Sequence, residues 1–181
     1  HSKDVARQFT DKVFDYTWTD DFSAARNYAA SCASHNIIFP IDTDEIITSL
    51  DWDALQSMLA SHPKSVGYIR RLDYFEVNSE IRHYDVMIER IYDRRYYHYE
   101  RPIHEVILPL SNTAHTSYET SITIDHIGYL GGQEALQSKA ERNLALLKAE
   151  VDKAPDDPYP YFQIGQSYML MRNHQQACEY F

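Results

Sequence analysis

The chain has 181 residues, of which 44% are hydrophobic and 24% charged, as is typical of a globular protein with one core and room for a small appendage. Its formal net charge of −10 argues against nucleic-acid binding, because no basic surplus exists to neutralise phosphates. No stretch approaches the roughly 18 consecutive apolar residues of a membrane span, and Cys32 and Cys178 match no zinc or disulfide spacing, so we expect a cytoplasmic protein, with peripheral attachment at the inner membrane face as an alternative.

The first elements of the chain are predicted to be a short helix and a short strand. Val5, Phe9 and Val13 recur every four residues, which indicates a helix at 4–11, and a strand follows at 12–15. Because this pattern starts at once, we expect that further sequence precedes it in the natural protein.

A second helix is predicted at 23–34. Its N-cap is one of Asp20, Asp21 and Ser23. Arg26 falls in the first turn, where a cation opposes the helix dipole. An arginine at this position is suited to bind phosphate or carboxylate through its planar fork. The alternative is a structural pair with a nearby aspartate.

An apolar run at 36–41 predicts a buried strand that ends in three carboxylates, those of Asp42, Asp44 and Glu45. Ligands of open α/β sheets bind at the carboxyl ends of strands. Carboxylates this close together need a neutralising partner, for which a divalent cation that prefers oxygen ligands is suited. The alternative is a solvated turn in which Glu45 caps the next helix.

The middle of the chain changes from helical to extended patterns. A helix is predicted at 51–60, and strands rich in β-branched and aromatic residues follow at 66–74 and 84–92. The turn-like stretch at 78–80 indicates that these two strands pair.

A further strand is predicted at 121–129. Ile122, Ile124 and His126 share one of its faces by the two-residue periodicity of a strand. Either His126 is a core histidine with its hydrogen bonds satisfied, or it is a ligand at a strand end, since neutral imidazole commonly binds metals.

Side chains that could act as acids or bases also cluster at 101–105. His104 and Glu105 lie close to Arg101 in an aromatic setting, so a carboxylate that can take a proton has an imidazole and a cation beside it.

The end of the chain is predicted to form packed helices. A helix at 133–153 is followed by a helix stop at 154–158. The spacing then matches the first two-thirds of a tetratricopeptide repeat, with Tyr161, Ile164, Gly165, Tyr168, Ala177 and Phe181 at the pattern positions. One partial repeat cannot bury its own apolar face. We therefore expect it to pack on helix 133–153 and more repeats to follow.

Taken in order, four groups of residues resemble the family 2 glycosyltransferases, most closely the bacterial subgroup whose catalytic domain runs directly into tetratricopeptide repeats. The groups are Trp18-x-Asp20-Asp21-Phe22-Ser23-x-Ala25-Arg26-Asn27, Asp42-Thr43-Asp44-Glu45, Ile103-His104-Glu105 and Asp125-His126-Ile127-Gly128-Tyr129. The resemblance implies an α/β chain with a Rossmann-like fold of GT-A type, incomplete at its N-terminus, followed by an α-helical, repeat-like hairpin. It divides the chain into a catalytic domain at 1–131, a connecting helix at 132–155 and a partial repeat at 156–181.

The resemblance also implies an activity, the inverting transfer of a sugar from a nucleotide diphosphate sugar, such as a UDP- or GDP-sugar, to a glycan, protein or peptide. Asp42 and Asp44 match the Asp-x-Asp element that holds Mn²⁺ or Mg²⁺ against the diphosphate. Asp44 is expected to contact the metal, and Asp42 to lie towards the sugar or ribose. His126 falls where many such enzymes have a further metal ligand.

The remaining site residues follow from the same resemblance. Trp18, Arg26 and Asn27 are implied to bind the nucleotide sugar. His104 and Glu105 match a segment beside the acceptor. An inverting enzyme needs a carboxylate base, for which Glu105 is the candidate and Glu45 or another aspartate a rival.

Two other functions compete with this one. The incomplete front end and the repeat fit a non-catalytic interaction module, in which a degenerate transferase domain carries a repeat that binds a protein partner. The acidic cluster and the histidines also fit a metal-dependent hydrolase.

Overall fold

The structure, a computed structural model, describes residues 2–110 and 114–181, with the backbone alone at 132–135. Its helices are α1 (Ser2–Ala6), α2 (Phe22–Cys32), α3 (Trp52–Ser61), α4 (Gly132–Lys153), α5 (Pro158–Leu170) and α6 (His174–Tyr180). Its strands are β1 (Ile37–Ile38), β2 (Glu45–Ser49), β3 (Val66–Val77), β4 (Glu80–Asp93), β5 (Tyr97–Glu100), β6 (Val106–Pro109) and β7 (Ser117–Tyr129). The α/β class predicted from the sequence is confirmed.

The chain forms two compact units. The first unit contains residues 1–40, 59–68 and 89–119, and the second contains 41–58, 69–88 and 120–181. Because β3, β4 and β7 are long, each contributes residues to both units.

The main sheet has five strands in the order β1-β4-β3-β7-β2, and β5 and β6 form a separate two-stranded sheet. Both outer ladders of the main sheet, β1 with β4 and β2 with β7, are antiparallel. A doubly wound sheet of Rossmann type is built mainly from parallel strands. The finer assignment to a Rossmann-like GT-A fold therefore stays a prediction.

The hairpin predicted between two strands around 78–80 is confirmed. Strands β3 and β4 are joined by Asn78 and Ser79, whose φ angles of 52° and 63° lie in the left-handed region. Positive φ at both central residues is the property of a type I′ turn, whose twist matches that of the flanking strands.

Three sequence predictions about strands need correction. Residues 12–15 form no strand: they take part in no described strand ladder, the Lys12 amide donates to the Thr10 hydroxyl instead, and an unpaired strand is not stable alone. The strand predicted at 36–41 is reduced to β1, since Pro40 lacks the N–H that a ladder needs. Strand β2 was not predicted, although its Ile-Ile-Thr segment is β-branched.

Tyrosine side chains form much of the core of the first unit, which accounts for part of the high tyrosine content. The buried cluster consists of Ala30, Ile38, Val66, Tyr92, Tyr97, Tyr99 and Ile107. The hydroxyl group of Tyr97 donates a hydrogen bond of 2.7 Å to the carbonyl of Lys64, so its polar tip is satisfied within the core.

The C-terminal helices form the hairpin that the repeat pattern predicts. Asp157 caps α5 by accepting the amide hydrogen of Tyr159, and Pro158 follows at its first position. A Cβ atom at Gly165 would lie 2.6 Å from the ring of Phe181, so the small residue allows α5 and α6 to approach closely. Among the residues with described structure, no helix combines the length and apolarity that crossing a membrane requires.

The packing of α4 gives a first prediction. Leu147 is 0% exposed, so Leu147→Ala leaves a cavity and should lower the free energy of unfolding by about 2–5 kcal/mol in urea denaturation. Leu146→Ala, one residue away in the same helix and only half-buried, should cost clearly less. Equal losses for the two variants would contradict the packing described.

Candidate functional site

The acidic turn that follows β1 is closed by two reciprocal hydrogen bonds. The amide of Glu45 donates to the carbonyl of Asp42 at 3.0 Å, and the amide of Asp42 donates to the Glu45 carboxylate at 2.9 Å. Glu45 is 8% exposed and begins β2. The idea that Glu45 caps a following helix is therefore wrong, because its carboxylate closes the turn and Asp51 caps α3 instead.

His126 approaches this turn from β7. Glu45 and His126 are directly opposite in the antiparallel ladder, and the amide of Ile127 donates to the carbonyl of Asp44 at 3.0 Å. His126 Nε2 consequently lies 3.4 Å from Asp44 Oδ2. This separation is longer than the roughly 2.7–3.2 Å of an N–H···O hydrogen bond. His126 is 6% exposed, whereas the Asp44 side chain is 39% exposed and faces solvent.

Gly128 leaves the space into which these two atoms point. A Cβ atom at this residue would overlap Asp44 Oδ2 and lie 2.6 Å from His126 Nε2. Such separations are shorter than non-bonded contacts allow. Only glycine therefore permits the observed approach of Asp44 and His126.

A buried ion network lies on the other side of the His126 ring. His126 Nδ1 is 2.6 Å from Asp73 Oδ1. Arg71 places Nε 2.8 Å from the same oxygen and donates from its terminal nitrogen to Asp73 Oδ2 at 3.0 Å. The opposite end of the guanidinium lies 3.8 Å from Glu45. Arg71 therefore contacts carboxylates from two strands, β2 and β3.

The protonation state of Asp73 identifies the donor in its contact with His126. Burial raises the pKa of Asp73, but the hydrogen bonds from His126 and Arg71 outweigh it and hold the pKa below 3.8. An ionised carboxylate only accepts hydrogen bonds. His126 Nδ1 is therefore the donor.

The predicted metal ligands are brought together in part. Asp44 and His126 converge, and Asp42 is half-buried on the same turn. Within residues 2–110 and 114–181, no three His, Cys, Asp or Glu side chains are arranged as a complete metal centre. The metal role of Asp42, Asp44 and His126 stays a prediction.

The other predicted site residues lie in the first unit, where α2 faces β5 and the segment after it. Arg26 Nε contacts the Glu105 carboxylate, and the guanidinium lies 5.4 Å from the ring centre of Tyr99. The side chain of Asn27 donates to the carbonyl of Tyr99 at 2.8 Å and accepts its amide hydrogen at 2.9 Å. The Asn27 side chain thus makes the same pair of hydrogen bonds to β5 that the backbone of a neighbouring strand would make.

The segment 101–105 has an unusual backbone. Arg101 and His104 have φ angles of 79° and 51°, in the left-handed region that non-glycine residues rarely adopt. Hydrogen bonds from the start of α2 hold it, since the Phe22 amide donates to the carbonyl of Pro102 at 2.9 Å and the Ser23 side-chain hydroxyl donates to that of Arg101. Strained residues of this kind are common at functional sites.

His104 and Trp18 differ in environment. Burial lowers the pKa of His104, and the nearby Glu105 carboxylate opposes this only in part. The Trp18 side chain is exposed, packs edge-on against Phe22 with ring centres 4.7 Å apart, and donates from Nε1 to Asp20 at 2.8 Å.

Arg71 and Asp73 were not predicted from the sequence. A signal was present, because the two-residue periodicity of β3 places both on the same face as Ile69, which is fully buried. Charged residues on the buried face of a strand need partners. That pattern indicates a buried ion network.

Comparison with known proteins gives distant relatives. The chain matches no model of a known protein family. It is 29% identical over 171 residues to a TPR repeat-containing protein of Synechococcus elongatus, an alignment that covers 89% of this chain and 41% of that protein. It is 22% identical over 172 residues to glycosyltransferase SunS, both the SPbeta prophage-derived protein of Bacillus subtilis and that of Bacillus phage SPbeta, covering 90% of this chain and 38% of each. The chain spans about two fifths of the length of the curated relatives it matches.

The burial of His104 gives a pH prediction. Its folded pKa lies below the 6.5 of a free histidine, so the folded protein holds a neutral imidazole that the unfolded chain protonates more readily. The stability contribution is therefore complete above 6.5 and is lost as the pH falls through 6.5 towards the folded pKa. Between about pH 7 and about pH 5, wild type should lose more unfolding free energy than His104→Gln. A proton NMR titration midpoint for His104 at or above 6.5 would contradict the assignment.

Proposed function

We propose that the chain is part of a glycosyltransferase with a GT-A type fold, which moves a sugar from a nucleotide diphosphate sugar to a glycan, protein or peptide acceptor. The observation that carries the proposal is the convergence of Asp44 and His126 over Gly128. The similarity to glycosyltransferase SunS over 90% of the chain supports it.

The residues present fit a divalent cation at this point. Carboxylate and imidazole are ligands for such ions, and Gly128 leaves room beside both donor atoms. Mg²⁺ is commonly bound by one or two carboxylates and completed by waters and substrate phosphates, so an incomplete protein shell suits the role. In the proposal, Asp44 and His126 hold Mn²⁺ or Mg²⁺, with Asp42 on the same turn. The ion supplies positive charge for the negative charge that develops on a departing nucleoside diphosphate.

Glu105 is the proposed base that deprotonates the acceptor. Its carboxylate contacts the guanidinium of Arg26, and a carboxylate can act as a general base when it is ionised. The rival Glu45 is buried and accepts the amide hydrogen of Asp42, so its carboxylate already has a structural use. In the proposal, His104 contributes a neutral imidazole next to the base.

Arg26, Asn27 and Trp18 are proposed to bind the nucleotide sugar. A guanidinium has five N–H donors, so contact of Arg26 with Glu105 is compatible with contact with a phosphate. The exposed indole of Trp18 offers an aromatic face for stacking. Asn27 is proposed to act through its two hydrogen bonds to the Tyr99 backbone, which hold α2 against β5.

The second candidate function is a repeat-bearing interaction module without catalysis. The relative with the higher identity is named for its TPR repeats, and α5 and α6 form a helical hairpin. A measurement of nucleotide binding distinguishes the two functions, because metal-dependent binding of UDP or GDP is expected of the transferase and not of a pure interaction module.

The proposed metal role predicts metal-dependent nucleotide binding. In the full-length protein, titration calorimetry with UDP and GDP should show binding that requires Mn²⁺. Asp44→Ala and His126→Ala should each weaken it by about 10-fold or more, since each removes a ligand. Asp85→Ala, which removes an exposed carboxylate of β4 paired with Arg70, is the matched control and should bind normally. Binding that is indifferent to metal and to both substitutions would refute the metal role.

The proposed base predicts a defect in turnover without a defect in donor binding. Glu105→Gln keeps the shape of the side chain but lowers its basicity, so release of nucleoside diphosphate from UDP- or GDP-sugars, with water as acceptor, should fall by about 10²–10⁴-fold. Glu100→Gln is the control, because Glu100 lies at the end of β5 and is half-exposed beside His98. Equal turnover of the two variants would exclude Glu105 as the base.

A further inference from the structure

We propose that Asp73 is a positioning residue that fixes the tautomer and ring orientation of His126, so that Nε2 presents its lone pair beside Asp44. The inference rests on the proposed function, because a lone pair in that position serves to ligate a cation. It assigns a role at the candidate site to a residue of β3, whereas the predicted metal ligands come only from the acidic turn and β7.

The two ring nitrogens of His126 have unequal partners. Nδ1 lies 2.6 Å from Asp73 Oδ1, whereas Nε2 lies 3.4 Å from Asp44 Oδ2. A neutral imidazole carries one N–H. The shorter contact favours that hydrogen on Nδ1, which leaves Nε2 as the acceptor. Metal-binding histidines commonly donate their other ring N–H to a carboxylate in this way.

Asp73 is itself held rigidly. It is 0% exposed, and Arg71 donates a hydrogen bond to its Oδ2 at 3.0 Å while Arg71 Nε lies 2.8 Å from its Oδ1 as an ion-pair contact. The contacts with Arg71 therefore constrain the orientation of the carboxylate independently of His126. Such preorganisation is what a ligand needs when the ion arrives with its substrate.

One further contact, with Tyr129, restricts the plane of the ring. Tyr129 packs edge-on against His126, with ring centres 4.9 Å apart and planes at 81°. Gly128 leaves the Nε2 edge open. Asp73 bonds to one edge of the His126 ring and Tyr129 packs against it. Both oppose a rotation of the ring that would exchange Nδ1 and Nε2.

The test measures the tautomer directly, without reference to activity. In the metal-free full-length protein labelled with ¹⁵N, at a pH where the ring is neutral, long-range ¹H–¹⁵N correlation should show His126 protonated at Nδ1. The signal is assigned by its loss in His126→Gln. In Asp73→Ala the acceptor is gone, so the proton should move to Nε2 and donate towards Asp44. A wild-type ring protonated at Nε2 would overturn the inference, even if Asp73→Ala did not fold.

Mn²⁺ affinity, measured by electron paramagnetic resonance with Mn²⁺ alone, provides the second readout. Asp73→Ala should bind Mn²⁺ about 10- to 100-fold more weakly than wild type. Asp73→Asn keeps an acceptor oxygen and loses the charge, so its affinity should lie between the two. The control is Asp85→Ala, which breaks the exposed Arg70–Asp85 pair instead of the buried Arg71–Asp73 pair. Equal affinities for Asp73→Ala and Asp85→Ala would overturn the inference.

The two proposals fail in different ways. If Asp44→Ala and His126→Ala bind Mn²⁺ as wild type does, the metal role is wrong, and the tautomer measurement still decides whether Asp73 orients His126. If those variants lose Mn²⁺ while Asp73→Ala keeps both the affinity and the Nδ1 tautomer, the metal role stands and the positioning role is refuted.

Discussion

The buried contact between Asp73 and Arg71 is the constraint on which the second unit depends. A carboxylate removed from water is stable only when it is paired and hydrogen-bonded, and removing one partner of such a pair commonly costs about 3–5 kcal/mol. Here the pair also contacts His126 of β7 and lies near Glu45 of β2. Three strands that are distant in sequence are therefore joined through charges whose geometry is specific. Apolar packing alone would leave more freedom in how they align.

The fold was predictable where the signal is local. The cap of α2, the hairpin around 78–80 and the periodicity of α4 depend on neighbouring residues. The hairpin and α4 agree with their predictions, and Asp21 is the one of the three candidate caps that the structure selects. Strand β2 was not predicted because its isoleucines are exposed and show no alternation between buried and exposed positions. The antiparallel direction of the outer ladders depends on pairing between distant segments, which no single stretch of sequence records.

The candidate site was predictable in its residue types and only partly in its contacts. The resemblance grouped Asp44 with His126, and the ladder between β2 and β7 brings them close. It assigned Arg26 and Glu105 to different substrates, whereas their side chains contact each other across 79 positions of sequence. Such a pairing follows from the docking of α2 on the segment after β5. Only the three-dimensional arrangement shows it.

The lack of a side chain at Gly128 also offers a genetic means of separating the two proposed functions, transfer and interaction. A methyl group at this position fills the space beside Asp44 and His126 while every polar group of the site keeps its chemical identity. The helical hairpin of α5 and α6 is built from other residues and is left unaltered. A cell that carries such an allele would retain the helical hairpin and lose the proposed cation position. Its phenotype would therefore report which of the two the organism uses.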